Sequence, residues 1–415
     1  MTERQGDQTL SGDTVDVSRD SPLNGAGIAP DPAWFEQSVV EPPFACHVLT
    51  TPLHLDAASE SKTNSWTDWA GYTVADIYTS VEQEYDALRT RAGLSDISPL
   101  VKYRVSGRES VPFLDRLLTR TVGALDTDRA ARAVLCAGDG NIITQGMLFR
   151  LADEEFRLVV RSSHLDWLEQ SALGFAVQVE DVSGTIAGLS LAGPSAAKVL
   201  TSAGMEKPEA LSKGQAVWVQ LGGMPVYVSR TGMLGGMEYE LWSDPSDASV
   251  LWRRLLNVGH RQGVKPVGAA VRDIARLENG VALEGVDYLS TFTALDSADS
   301  RTPYDLSLGG LVDLERTVFN GQKALSVIAE KGSARVLVGL ELDLADGAPI
   351  GSVCTGERRI GQVKSHAWSQ SLQCVVALAV IDASALGASD GFSVETGSGA
   401  RRPVKLAKRP FLRFS

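Results

Sequence analysis

Apolar residues along the chain switch between two spacings, and the switches outline an α+β protein. Over residues 77 to 92, Ile77, Val81, Tyr85 and Leu88 fall on one stripe at helical spacing, which predicts an amphipathic helix. The next stretch, VKYRVSG, alternates as a half-buried strand does, and SVPFLDRLL predicts a helix with its leading Ser as the N-cap. Strand and helix signals then interleave: AVLCA, GMLFRLA and FRLVVR, the helical HLDWLEQSA, then TIAGLSLAG and SAAKVLTSAG. Residues 205 to 330 repeat the mixture, with AVWVQL and MPVYVSR as strands and ASVLWRRLLNVGHRQ as a helix. AAVRDIARLENG predicts another helix, ending at Gly280. Past Lys331 the pattern changes to short strands, RVLVGLELD, RRIGQVKSHAW, SLQCVVALAVID and FSVETG, divided by Gly, Ser and Asp turns, as in a small β-barrel or sandwich.

These textures divide the chain into three. Residues 1–43, rich in Asp, Ser, Gly and Pro, read as a disordered or loosely docked leader that buries too little apolar surface to offset ordering entropy, with Trp34 and Phe35 able to dock it. Residues 44–330 form an α+β body with a break near 205, and residues 331–415 a β-barrel domain. A length of 415 residues suffices for several packed cores.

The net charge of -12 argues against a nucleic-acid footprint, which needs a surplus of cations. The basic group Arg401, Arg402, Lys405, Lys408, Arg409 and Arg413 reads as a solvated strand edge. Cys46, Cys136, Cys354 and Cys374 form no CxxC pair, and the five histidines show no chelating spacing, so reduced thiols and no metal are expected. No run is long and apolar enough to span a membrane, and the first residues lack the apolar stretch of a secretory signal; a cytoplasmic location is expected.

Several dispersed stretches together resemble the glycine-cleavage aminomethyltransferase family, which includes folate-dependent demethylases of aryl methyl ethers and of dimethylsulfoniopropionate. They are Thr51-Pro52-Leu53, Ala70-Gly71-Tyr72, Leu94-Ser95-Asp96-Ile97-Ser98, Leu191-Ala192-Gly193-Pro194 and Ser229-Arg230-Thr231-Gly232. The helix Arg272 to Gly280, Thr302-Pro303-Tyr304 and Gly321-Gln322-Lys323-Ala324-Leu325 complete the set. Each is weak alone; their order and spacing carry the resemblance. It implies a three-domain α+β fold around a central hole for tetrahydrofolate, ending in a small β-barrel.

The resemblance also implies site residues. Glu240 would receive the pterin, because a carboxylate accepts bidentately from the ring's two-donor edge. Read alone, Glu240 is the exposed half of the alternating Tyr239-Glu240-Leu241-Trp242. Arg272 would sit near the pterin and its tail; read alone, it is a surface Arg bonded to Asp273 or Asp305. Arg276 and Glu278 read as braces for their helix. Leu100, Met147, Leu158 and Tyr239 would line the cofactor, with Leu100 and Leu158 as apolar walls that could equally be core. Gln145 stands where the glycine-cleavage enzyme has the second Asp of "DD", near the reacting folate nitrogens, and an amide there carries no charge and exchanges no proton. Met233 replaces a Tyr and Gly310 a Trp, which would reshape the pocket beside the one-carbon unit.

The reading that follows is a tetrahydrofolate-dependent methyl or other one-carbon transferase of demethylase type, acting on a small-molecule donor by alignment with the folate N5. It needs no metal, flavin or nicotinamide; no GxGxxG fingerprint stands between a strand and a helix. Tyr72, Tyr78, Tyr103 and Arg104 are candidates to protonate the leaving group, with Gln145, Tyr103 and Tyr78 as the catalytic set. Aminomethyl transfer, with a lipoyl carrier protein as partner, is the alternative within the enzyme class, and a non-catalytic folate-binding or interaction protein the alternative outside it. No nucleic-acid or membrane partner is expected, and the sequence sets no oligomeric state.

Overall fold

A computed structural model describes residues 49–412 apart from 297–298, 317, 344–349, 389–390 and 398. The expected leader, residues 1–43, lies outside the described residues. The chain enters through β1 (Leu49–Thr50), α1 (His54–Glu60), β2 (Ser65–Trp69) and β3 (Tyr72–Ile77), whose strands make a small sheet in the order β1-β3-β2. Next comes α2 (Val81–Thr90). Its apolar stripe lies where the spacing puts it, but Ile77 ends β3, and the helix starts after Ser80, whose hydroxyl accepts the Gln83 amide.

The following elements are β4 (Ala92–Asp96), β5 (Val101–Ser106), α3 (Ser110–Leu117), β6 (Arg129–Cys136), β7 (Ile142–Ala152), β8 (Glu155–Val160), α4 (Leu165–Ala172) and β9 (Gln178–Asp181). Then come β10 (Ala187–Ala192), α5 (Ala196–Ala203), β11 (Ala216–Leu221), β12 (Met224–Ser229), β13 (Glu238–Ser243), α6 (Pro245–Gly259), β14 (Val264–Pro266) and α7 (Ala269–Glu278). Ser110 does not cap α3. Glu109 stands at the cap position, its carboxylate accepting the Ala176 amide, and Ser110 is buried inside the first turn.

Two sheets of opposed faces make the body. One has the order β11-β12-β13-β10-β4-β14, the other β6-β7-β8-β5-β9. Successive side chains of a strand point to opposite faces, so each sheet has a helix-side face and a face toward its partner. On the first sheet Leu189, Leu191, Tyr239 and Leu241 pack with residues of α5 and α6. On the second, Tyr103, Val105, Leu148 and Leu158 pack with residues of α3 and α4. Between the sheets Phe149 meets Tyr227 and Trp242 edge to face, each at 6.3 Å between ring centroids, in a third core with Trp69, Ile97, Leu100 and Val159.

After α8 (Gln322–Lys331), the strands β15 (Arg335–Leu342), β16 (Ile350–Thr355), β17 (Arg358–Ser369), β18 (Cys374–Asp382), β19 (Phe392–Thr396) and β20 (Arg401–Ala407) close a barrel in the order β15-β18-β17-β16-β19-β20. β20 pairs with both β19 and β15. The basic group is therefore not a sheet edge, since closure removes the edge. Arg401, Arg402 and Lys405 are instead exposed on a strand paired on both sides, and Arg413 lies outside the described residues. Arg409 turns inward, donating to Gly280 O at 3.3 Å, Ser307 Oγ at 2.8 Å and Leu337 O at 2.9 Å, which ties the chain's end to the end of α7. Cys136 and Cys354 are buried and unpaired, and no described helix is long and apolar enough to cross a membrane.

Candidate functional site

Paired residues in neighbouring strands share a face, and register aligns Ser95, Ser190, Glu240 and Ser229 across β4, β10, β13 and β12. This polar row lies on the inter-sheet face of an otherwise apolar sheet, so it is not there for packing. Glu240 is buried, which corrects the reading of it as an exposed strand residue. Its carboxylate accepts from the Thr231 hydroxyl, and Thr231 and Ser229 share a hydrogen bond of 2.7 Å. Two residues earlier on the same face stands Glu238, also buried, accepting from Ser190 Oγ at 2.7 Å and Leu234 N at 2.8 Å. Burial first, and then the charge of Glu238, push the Glu240 carboxyl up to about 7, against the pull of Thr231 and Arg272.

Arg272 on α7 is the cation facing this row. It is bonded to neither Asp273 nor Asp305: Asp273 pairs with Arg276 at 2.7 Å, and Asp305 accepts the Thr302 amide. Burial lowers its proton affinity, while Glu238, Glu240 and Asp96 act in the opposite sense. One guanidinium nitrogen, Nη1, is buried with no hydrogen-bond partner among the described residues. Its helix is held in place by Glu84, whose carboxylate accepts the amides of Gly268, Tyr78 and Thr79 at 2.8, 2.7 and 2.8 Å and so joins α7 to the end of β3. A Cβ on Gly268 would stand 2.1 Å from Asp76 O, so this approach requires glycine.

The dispersed motifs converge here. Thr51 donates to Asp96 at 2.6 Å, joining the first motif to the third. Arg276 is buried against Asp287 and donates to Val281 O, and Glu278 accepts from Tyr85, Arg89 and Ser369, so both brace α7 against its surroundings.

Two cavities flank the segment between Arg230 and Glu238. One, of about 300 Å³, is lined by Trp69, Arg161, Met233, Arg272, Arg276 and Leu283, with Asp68, Asp76 and Asp273 on its walls. The other, of about 400 Å³, is lined by Lys213, Arg230, Thr231, Gly232, Glu238 and Asn279. Both are within the range of roughly 300–1,000 Å³ that small-molecule sites occupy. Gly232 permits the turn: its φ is +132°, and a Cβ there would fall 2.0 Å from the Glu238 carboxyl carbon.

Face parity sorts the remaining candidates. Gln145 and Met147 stand on the inter-sheet face of β7, and Leu100 packs in the same inter-sheet core. Gln145 donates to Ala282 O at 2.8 Å and accepts from Arg132 at 3.1 Å, so its amide is fixed at both ends. Leu158 and Tyr103 lie on the other face, in the core under α3 and α4, with the Tyr103 hydroxyl accepting the His164 amide at 2.7 Å. Tyr239 is turned from Glu240 by strand alternation and donates to Pro208 O at 3.0 Å. Tyr78 packs on Trp252 in the helix-side core, with ring centroids 6.3 Å apart. Arg104 is spent on Glu180 at the surface. Of the protonation candidates only Tyr72 adjoins the inter-sheet core. Gly310 lies in an exposed turn with open space around it, whereas Met233 does line the smaller cavity.

Sequence reasoning did not single out Glu238, Arg161, His164 or Glu284. His164 and Glu284 form a buried pair at 3.2 Å, and Thr144 donates to the same carboxylate at 2.6 Å, close to Gln145 in sequence. Nothing in the sequence joins residues 120 positions apart. Glu238 did leave a signal, the alternating Glu238-Tyr239-Glu240.

The arrangement has close relatives. Residues 55–314 match the GCVT N-terminal domain and residues 335–412 the glycine cleavage T-protein C-terminal barrel domain. A protein of Streptomyces coelicolor named aminomethyltransferase is 32% identical over 370 residues, covering 86% of this chain and 96% of that protein. Another, from Anoxybacillus flavithermus, is 31% identical over 353 residues, covering 83% and 93%. The crystal structure of the glycine cleavage system aminomethyltransferase T from Bartonella henselae superposes with a TM-score of 0.78 at 27% identity, covering 88% of this chain and 99% of that one. With its N-terminal domain match spanning more than half of the sequence, this chain belongs to the tetrahydrofolate-dependent aminomethyltransferase family.

Proposed function

We propose that this protein transfers a one-carbon unit between a small-molecule donor and tetrahydrofolate, with Glu240 and Arg272 holding the pterin. The observation that carries the proposal is Glu240: a carboxyl buried on an inter-sheet face, beside an Arg whose Nη1 has no partner among the described residues. Buried polar groups are ordinarily satisfied. A flat ring with an edge of two donors for the carboxylate and an acceptor for the guanidinium would satisfy both, which is how the residues present fit the cofactor. Tetrahydrofolate would supply the nucleophilic or one-carbon-bearing nitrogen. The chain's own residues bind, orient and exclude water, and alignment of two bound reactants can supply much of a rate enhancement.

The relatives' name favours an aminomethyl-bearing donor, for which a carrier protein would be the partner. A second reading, methyl transfer of demethylase type, is favoured by Gln145, a neutral amide fixed between Arg132 and Ala282 that can orient a ring nitrogen but not exchange its proton. In both readings the reaction takes place in the cytoplasm and draws on no metal, flavin or nicotinamide.

Calorimetric titration with tetrahydrofolate tests the common core. Saturable binding to the wild type that is lost in Glu240→Gln supports it, and equal affinity in the two proteins would overturn it. The folate product then separates the readings: 5,10-methylenetetrahydrofolate from an aminomethyl donor, 5-methyltetrahydrofolate from a methyl donor.

A further inference from the structure

The smaller cavity holds a cation that the folate reading does not use. Arg161 follows β8 directly, and its guanidinium stands 5.5 Å above the ring of Trp69. Among the described residues it makes no hydrogen bond and no ion pair. The acids near it are engaged elsewhere: Asp273 pairs with Arg276, and Glu284 is taken by His164 and Thr144. Asp68 is exposed, and Asp76 accepts a 3.4 Å hydrogen bond from Ser65. Two further cations, Arg272 and Arg276, line the same space. Burial and those two cations lower the proton affinity of Arg161, so its charge stands in this site at a cost that an incoming anion would relieve.

From this geometry we infer that Arg161, braced on Trp69, is a carboxylate-binding subsite for the one-carbon donor. The fork of guanidinium N–H groups matches a carboxylate bidentately, and stacking on an aromatic ring pre-orders the fork. Trp69, Met233 and Leu283 offer an apolar wall to the donor's body. The donor is thus a small carboxylic acid whose transferable carbon lies away from the carboxylate, on the side of Arg272. Arg161 touches the donor and sets specificity; it moves no proton. The inference rests on the folate reading in assigning the carboxylate to the donor. Tetrahydrofolate's own glutamyl carboxylates share this chemistry, so the test separates the two sources.

The full-length protein is titrated calorimetrically with benzoate, benzamide and tetrahydrofolate, as wild type, Arg161→Gln and Arg161→Lys. Benzoate is expected to bind the wild type, at least tenfold more weakly to Arg161→Gln and intermediately to Arg161→Lys, while benzamide binds none. Tetrahydrofolate affinity is expected to stay within twofold throughout, and the melting temperature of Arg161→Gln not to fall, because relief of the buried charge offsets the lost contact with Trp69. Equal binding of benzoate and benzamide, or no benzoate binding to the wild type, overturns the subsite. A loss of tetrahydrofolate affinity in Arg161→Gln as large as that in Glu240→Gln assigns Arg161 to the folate tail and overturns the donor assignment. Failure of the folate reading itself shows separately, as absence of tetrahydrofolate binding to the wild type.

Discussion

Glu238 and Glu240 stand two residues apart on one face of β13, both buried, and Arg272 is the cation that faces them both. The two carboxyls are not equivalent. Burial raises the proton affinity of both, but Glu238 accepts from Ser190 and the Leu234 amide, which oppose that rise, whereas Glu240 has only Thr231 and sits in the field of its neighbour. Glu240 therefore has fewer partners of its own and more to offer a ligand, and its charge changes near neutral pH.

Folate affinity should follow that ionisation. With the Glu240 carboxyl pushed up to about 7, it is mostly ionised at pH 8 and mostly protonated at pH 6, and only the ionised form accepts both donors of the pterin edge. The dissociation constant for tetrahydrofolate is expected to rise about tenfold from pH 8 to pH 6, measured calorimetrically. A flat profile would remove Glu240 from the pterin site.

Stability carries the opposite sign. A carboxyl whose folded pKa is raised contributes stability below its unfolded value near 4.5 and loses it as pH rises through about 7. The full cost above pH 7 is roughly 3 kcal/mol by the linkage relation. Glu240→Gln is expected to raise the melting temperature at pH 8 more than at pH 5 while abolishing folate binding. A fall at pH 8 would show that the carboxylate is held by the fold and not kept for a ligand.

Gly232→Ala tests the turn that carries Thr231 and Met233. The new Cβ would lie 2.0 Å from the Glu238 carboxyl carbon at a φ of +132°, a strained conformation of order 1–3 kcal/mol before any clash is counted. The variant is expected to unfold at lower temperature and to lose folate affinity. Gly310→Ala, with open space and no positive φ, is expected to leave both unchanged.

How much of this was legible in the sequence depends on whether a feature is local. The α+β class, α7 ending before Gly280 and the barrel strands follow from periodicity and turn residues, which act within a few positions. Ile77 is apolar at helical spacing yet belongs to β3, and spacing alone does not locate Ser80 as the cap. Glu240 and Arg272, the residues proposed to hold the pterin, are reachable because the motifs that carry them stand in a fixed order. Tyr78, Tyr103, Leu158 and Tyr239 stand apart from the row of Glu240 because each packs in a helix-side core. Which face of a strand is inward is decided by the partner sheet, and the sequence does not contain that. Arg161 and the pair His164–Glu284 are products of tertiary packing and left no signal.

Gln145 is where the two readings of function part. Its amide spans from Arg132 to Ala282 O, and Asp, one methylene shorter, would give up Ala282 O while its charge turned toward Arg132. Glu240 lies on the other sheet, so Gln145→Asp is expected to keep tetrahydrofolate affinity within twofold. Turnover should move far more, by tenfold or above, because a proton-exchanging group then stands by the reacting nitrogen. The size of the change identifies the donor: methyl transfer releases one proton from a folate nitrogen and closing the 5,10-methylene bridge releases two, so an aminomethyl donor should gain more from the new carboxylate than a methyl donor. Gln145→Leu supplies the control, since it strands Ala282 O and one Arg132 donor at about 1–3 kcal/mol and should lower stability without favouring either donor. Rates unchanged with both donors in Gln145→Asp would move the chemistry away from β7 altogether and toward the His164–Glu284 pair.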